Sequence, residues 1–311
     1  MAGELLAMRR AAVGAPIADY ARLVDRARIN KGGRGSGLQQ AADTSTSTTG
    51  ATITASATPH EKGVWASVLT ASSFRAETII VCLAGGTGAN GVATSALLDI
   101  GYGPDADNVT TIVANLNVGY SHSTALGGMF VTFVLPYDLA SGSQLWARLQ
   151  GIVVSETVIV SVQLREAGTN AAAPTAITTY GANTATSNGV TLTNPASANT
   201  KPAAYDTITA STTADHRYLL VSASAASEVA GTLFASTGLV DIAIGAASSE
   251  VVIMGNLPFS TTTNEIIAVA PAYWAIPLTR AIPSGTRISA RYQSTSNSTA
   301  ARISIIAHGF N

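Results

Sequence analysis

From about residue 44 onward, apolar residues recur at every second position in short runs, the period of strands with one buried face. Leu98, Ile100 and Tyr102 share one side while Asp99 takes the other. Val158, Val160, Val162 and Leu164 alternate in the same way with Thr157, Ser161 and Gln163. Runs of this kind span 51–54, 64–70, 77–83, 97–102, 109–116, 129–135, 144–150 and 157–164. A second series spans 189–193, 205–209, 217–223, 239–244, 250–257, 266–276, 287–293 and 301–308. Turn residues separate the runs, and no helical period lies between them. The pattern predicts a mainly β chain built from two tandem antiparallel β-sandwich, jelly-roll-like domains.

The two series are related. Ser141-Gly-Ser-Gln-Leu-Trp-Ala-Arg-Leu-Gln150 returns as Ser284-Gly-Thr-Arg-Ile-Ser-Ala-Arg-Tyr-Gln293. Leu98-Asp99-Ile100 answers Val240-Asp241-Ile242, Asn115-Leu116 answers Asn256-Leu257, and Pro136 answers Pro277. The offset stays near about 140 residues, far longer than a solenoid period, which implies duplication of a whole domain. The expected organisation is a first sandwich over 44–166, a linker over 167–182 that is rich in Ala, Thr and Asn, and a second sandwich over 183–311.

Before residue 44 the period changes. Leu5, Met8, Ala12 and Val13 form one helical stripe, and Tyr20, Leu23, Val24 and Ala27 continue it beyond Gly14 and Pro16. Arg9, Arg10, Arg22 and Arg26 lie on the opposite face. Residues 1–43 are therefore expected to form a helical anchor followed by a Gly- and Ser/Thr-rich tether. Its partner-docking residues would be Leu5, Met8, Arg9, Arg10, Val13, Tyr20, Leu23 and Arg26.

Composition sharpens this picture. Charged residues make up only 11% of the 311-residue chain and the net charge is −1. A polar, weakly charged surface suits a subunit whose faces are covered by neighbours better than a free monomer. The near-neutral balance gives no general attraction to nucleic acid or to an anionic membrane. No apolar run reaches the length of a membrane span, and arginines interrupt the N-terminal stripe, so no secretory leader is expected. The single cysteine, Cys82, is expected to be a small buried thiol.

Candidate chemistry is sparse. Gly86, Gly88 and Gly91 spell G-x-G-x-x-G after a strand, but an alternating strand follows where a dinucleotide site needs a helix. The second series carries Ser224 to Val229 at that place. Asp105, Asp107 and Asn108 could offer oxygens to calcium, yet the run lacks the later glutamate, and a solvated turn is preferred. His60, His122, His216 and His308 form no zinc spacing. Asp99, Asp241, Arg148 and Arg291 recur in both series, and a structural salt bridge or an interdomain contact is expected of them. No catalytic, cofactor-binding or metal-ligating set emerges, so no enzymatic activity and no cofactor are expected.

Four phrases carry a resemblance: Leu239-Val-Asp-Ile-Ala-Ile-Gly245, Glu250-Val-Val-Ile253, Asn256-Leu-Pro258 and Ile282-Pro-Ser-Gly-Thr-Arg-Ile-Ser-Ala-Arg291. They resemble virion structural proteins of tailed bacteriophages, of the fibre, collar or decoration kind. The resemblance spans both sandwiches and leaves out the N-terminal segment. It implies β-sandwich modules, attachment through the N-terminus to portal, neck, tail or capsid proteins, and self-association, often as a homotrimer. The first series departs from the phrase at Gln144 and Trp146, where the second has Arg287 and Ser289. The expectation is thus a virion protein assembled in the host cytoplasm, a fibre, spike or collar subunit that binds neither nucleic acid nor membrane. The alternatives are a capsid decoration or cement protein, or a module that recognises a host surface glycan through aromatics such as Tyr273 and Trp274.

Overall fold

The computed structural model describes residues 38–41, 50–84, 96–118, 131–167, 173–225, 236–261, 272–297 and 303–311. They form eighteen strands in four antiparallel sheets, and no helix occurs among the described residues. The first sheet runs β1 (Leu38–Ala41), β9 (Thr157–Glu166), β4 (Ala76–Ala84) and β7 (Val131–Leu139), with β2 (Ala51–Thr54) also pairing β9. The second sheet runs β3 (Ala66–Leu69), β8 (Leu145–Gly151), β5 (Ala96–Tyr102) and β6 (Thr110–Asn117). The third runs β10 (Ile177–Tyr180), β18 (Ile303–Phe310), β13 (His216–Ala225) and β16 (Ala272–Ile282), with β11 (Val190–Thr191) also pairing β18. The fourth runs β12 (Asp206–Thr209), β17 (Ile288–Ser294), β14 (Ser236–Ile244) and β15 (Val251–Thr261). Adding nine to each strand number of the first pair of sheets reproduces the order of the second pair.

Each pair of sheets closes on one apolar core, a sandwich-like arrangement. Val81, Phe133 and Val162 of the first sheet share a cluster with Leu98, Ile100 and Ala147 of the second. Leu219, Val221 and Ile305 of the third sheet do the same with Val240, Ile242 and Ala290 of the fourth. The alternation read from the sequence accounts for this, because in β9 every second residue from Val158 to Leu164 is buried.

The phrase that occurs twice builds the same turn twice. Gly142 and Gly285 both have φ near +84°, at the third position of turns closed by Ser143 N–H to Ala140 O and Thr286 N–H to Pro283 O, each 3.3 Å. That sign of φ at that position is the type II geometry that favours glycine. Both turns are held by one neighbour in the same way. Ser72 Oγ donates to Ala140 O at 2.9 Å, and Thr212 Oγ1 donates to Pro283 O at 2.8 Å.

Two stretches outside the predicted strand runs, one in the loose tether and one in the extended linker, contain strands. Leu38–Ala41, inside the expected tether, pairs with β9, and Ile177–Tyr180, inside the expected linker, pairs with β18. Both are four-residue edge segments with mixed polarity, too short to show a period, and long-range backbone pairing specifies them. The expected helical anchor, with Leu5, Met8, Arg9, Arg10, Val13, Tyr20, Leu23 and Arg26, lies outside the described residues, as does the glycine run from Gly86 to Gly91.

At one place the two cores differ by compensation. By register, Ala76 and Leu164 in the first sandwich correspond to His216 and Gly309 in the second. A β-carbon on Gly309 would lie 2.6 Å from the His216 ring, so one position is small because the other is large. Gly309→Leu alone is expected to destabilise the protein by about 1–3 kcal/mol through overpacking. Adding His216→Ala, which restores the pairing used in the first sandwich, is expected to return part of that loss in a double-mutant cycle read by denaturant melts. Strict additivity would show that the two positions do not share the space.

Candidate functional site

The charged residues shared by the two halves converge on two matching clusters. In the first sandwich, Asp99 lies in mid-β5 on the face away from the core and is only 1% exposed. Opposite it, β6 makes a bulge: Leu98 pairs Leu116 and Ile100 pairs Val113, leaving Ala114 and Asn115 against the single Asp99. Asn115 takes φ 59° and turns its N–H onto Asp99 Oδ1 at 2.8 Å. Lys62 Nζ reaches the same oxygen at 2.5 Å and also donates to Asn115 Oδ1 at 2.6 Å. Arg148 Nε donates to Asp99 Oδ2 at 2.8 Å, and its guanidinium stacks 4.4 Å from the Trp65 ring centroid.

The second sandwich repeats this residue by residue. Asn256, at φ 59°, donates its N–H to Asp241 Oδ1 at 2.9 Å, and Lys201 Nζ donates to that oxygen at 2.6 Å and to Asn256 Oδ1 at 2.7 Å. Arg291 Nε donates to Asp241 Oδ2 at 3.2 Å and lies 4.4 Å from the Tyr205 ring centroid. Burial pushes the Asp241 carboxyl upward, but hydrogen bonds from Lys201, Asn256 and Arg291 outweigh it and hold the group below the usual carboxylate range. Burial dominates at Lys62 and brings its ammonium below the ordinary lysine value, although Asp99 opposes the shift. Each carboxylate has both oxygens occupied by groups of its own sandwich, so the clusters pin a covering segment, 55–66 or 194–205, over the outer face of a sheet.

The other arrangement of note is the junction between the sandwiches. The central strands of the third sheet, β18 and Tyr218 to Ser224 of β13, are buried on both faces. Tyr218, Leu220 and Phe310, on its side away from the second core, belong to the core cluster of the first sandwich. Tyr218 and Phe310 meet edge to face at 4.7 Å, and Tyr273 meets Phe133 of β7 at 4.4 Å. Polar bonds run alongside: Thr179 Oγ1 donates to Ala114 O at 2.6 Å, Asn117 Nδ2 to Ser224 Oγ at 2.6 Å, and Gln150 Nε2 to Thr184 O at 2.5 Å. Because Thr179 Oγ1 donates to Ala114, its lone pair faces His308 Nδ1 at 3.1 Å, and the ring donates there. His308 Nε2 and the Tyr273 hydroxyl are enclosed without a hydrogen-bond partner among the described residues. Burial lowers the His308 pKa to about 3 and pushes the Tyr273 hydroxyl well above its ordinary value.

The remaining sequence candidates resolve into local structure. Asp105 Oδ1 accepts from the N–H groups of Asp107 and Asn108 at 3.0 Å each, which is a self-closed turn. No group of three potential metal ligands occurs among the described residues. Cys82, expected to be buried, is half-buried on the outer face of the first sheet, beside Thr132 Oγ1 at 3.9 Å. The strand period explains this: Val81 and Leu83 point into the core, so Cys82 must point away. Tyr273 faces the junction, whereas Trp274 packs half-buried against the second core.

Asp99, Asp241, Arg148, Arg291, Asn115 and Asn256 are marked in the sequence by their recurrence, whereas the lysines and the aromatic rings are not. Lys62 precedes Trp65 by three residues and Lys201 precedes Tyr205 by four, and the rings differ, so no shared phrase marks them.

No protein-family model and no curated protein matches the chain. Among solved structures, a peptide-N(4)-(N-acetyl-β-D-glucosaminyl) asparagine amidase is similar at TM-score 0.37 and 11% identity, over 84% of this chain and 96% of that one. A chain of Sulfolobus Turreted Icosahedral Virus is similar at TM-score 0.34 and 10% identity, covering 88% and 90%. The PBSX exported protein XepA follows at TM-score 0.21 and 12% identity, covering 88% and 86%. These likenesses are loose and carry no functional argument.

Proposed function

We propose that this protein is a non-enzymatic virion structural subunit of a tailed bacteriophage, of the fibre, spike or collar kind. Residues 1–43 attach it to a portal, neck, tail or capsid protein, and its two sandwiches form the displayed body. The observation that carries this reading is the pair of matching clusters. The charged residues that recur in both halves are consumed in holding segments onto sheets, so what the halves share is architecture. The docked third sheet adds a second architectural device by making one body of two sandwiches. The matching strand orders, turns and clusters support an origin by tandem duplication. The order β2-β9-β4-β7 against β3-β8-β5-β6 supports a jelly-roll description of each sandwich. The low charge and the phrases shared with phage virion proteins support self-association within a particle.

Deletion of residues 1–30 tests the attachment. The truncated chain is expected to keep its strand content and unfolding transition yet to be missing from particles assembled in its presence, as read by quantitative immunoblotting of purified virions. Incorporation at the full-length level would refute the assignment of the anchor.

A further inference from the structure

The junction inside the chain defines a socket that the chain carries twice and, among the described residues, fills once. In the first sandwich, the open side between β6 and β7 is lined by Ile112, Val113, Leu116 and Phe133, all at most 2% exposed, because the outer face of the third sheet lies on them. By register and bulge position their counterparts in the second sandwich are Ile253, Met254, Leu257 and Trp274. These four are only half-buried. Beside them, edge strand β15 begins with Val251 and Val252, 63% and 44% exposed, where β6 begins with exposed Thr110 and Thr111. The second socket has thus kept its apolar lining, and its rim has valines in place of threonines, with no sheet of this chain lying over it among the described residues.

The face that fills the first socket also has a counterpart. The outer positions Tyr218, Leu220, Tyr273 and Ala275 of the third sheet correspond to Thr78, Ile80, Thr132 and Val134 of the first sheet. Ile80, Cys82 and Val134 are half-buried at the centre of that face, with Gln163 and Arg165 toward one end. Among the described residues, every chain therefore has one socket with no sheet lying over it, and one sheet face of the kind that fills a socket with no second sheet against it.

We propose that a second copy of this chain docks the outer face of its β1-β9-β4-β7 sheet into the socket between β15 and β16. This would repeat between chains the contact already made within one. The proposal rests on the self-association in the reading above and specifies its surfaces. Socket and face are different surfaces, so the contact is head-to-tail, and it closes into a ring or extends as a row according to the rotation between copies. A more polar face than Tyr218 and Phe310 provide suits a contact that forms only at assembly concentrations.

The test uses the full chain and two variants, a socket variant Val252→Glu/Met254→Glu and a face variant Thr132→Glu/Val134→Glu, in sedimentation velocity over a wide concentration series. Val252→Glu alone and Thr132→Glu alone serve as milder versions at exposed positions, and unchanged thermal unfolding verifies that each variant is folded. The unaltered chain is expected to move from 31.5 kDa toward multiples of that mass as concentration rises, while each variant alone stays at 31.5 kDa. An equimolar mixture of the variants is expected to stop at dimers, because one intact socket and one intact face remain between them. A monomeric unaltered chain at every concentration, or a variant that still assembles alone, overturns the proposal. A chain that enters particles through residues 1–43 yet sediments as a monomer would sink this contact and leave the structural role standing.

Discussion

Phe310→Ala is expected to cost about 3–5 kcal/mol and to loosen the first sandwich, although the residue belongs to the last strand of the second. Phe310 is fully buried, meets Tyr218 edge to face and sits in the first sandwich's core cluster. Removing its ring leaves a void at the junction that two opposed sheets cannot collapse into. Hydrogen exchange should show lost protection along β6 and β7 as well as in β18, whereas a residue serving only its own sandwich would leave β6 unchanged. Acid should act on the same junction. His308 has its pKa lowered to about 3 by burial, so the unfolded chain takes up a proton near the ordinary histidine value of 6.5 and the folded one does not. Stability from neutral His308 is therefore complete above about pH 6.5 and declines as pH falls from there toward 3, by up to about 1.4 kcal/mol per pH unit. His308→Gln should flatten that part of the stability curve.

Asp99→Ala is expected to destabilise the protein by about 3 kcal/mol, and Asp241→Ala by a similar amount. Each change strands a lysine and an arginine against a sheet and releases the bulge N–H of Asn115 or Asn256 from its acceptor. Because the clusters are separate, the double variant should lose the sum, as read by chemical denaturation. If one substitution proves silent, the two clusters are not equivalent in energy even though their geometry matches. Limited proteolysis adds a local readout, since the segments 55–66 and 194–205 should become the first sites of cleavage.

Much of this was legible in the amino-acid order, for identifiable reasons. The alternation of Leu98, Asp99 and Ile100 dictates which side chains meet the core, and the Ser-Gly turn needs a residue free to adopt positive φ. Both are local requirements and leave local marks. Asp99 and Arg148 could be paired from sequence because each recurs at a fixed place in a recurring strand. Lys62 could not, because its segment reaches Asp99 across a loop whose length differs between the halves. The junction was illegible for a related reason. Ile306, His308 and Phe310 continue the alternation of β18 on the side that a lone sandwich would give to solvent, and only the neighbouring sandwich explains why they are apolar or buried. Ser161, Gln163 and Arg165 at the matching places in β9 are half-buried and polar, so a comparison of the halves position by position carries the signal that either half alone conceals.

That the first core contains side chains from β13 and β18 bears on how the molecule is made. A ribosome releases the strands of the first sandwich, Leu38 to Glu166, well before it reaches Phe310, and domains generally fold as they emerge. The early half must then wait with the sides of Ile112, Leu116 and Phe133 uncovered, a greasy seam on a nascent chain, until the late half is complete enough to lie against it. In crowded synthesis that seam is open to any neighbour, and the tidy pairing of the two halves is the last event in the life of the monomer rather than the first.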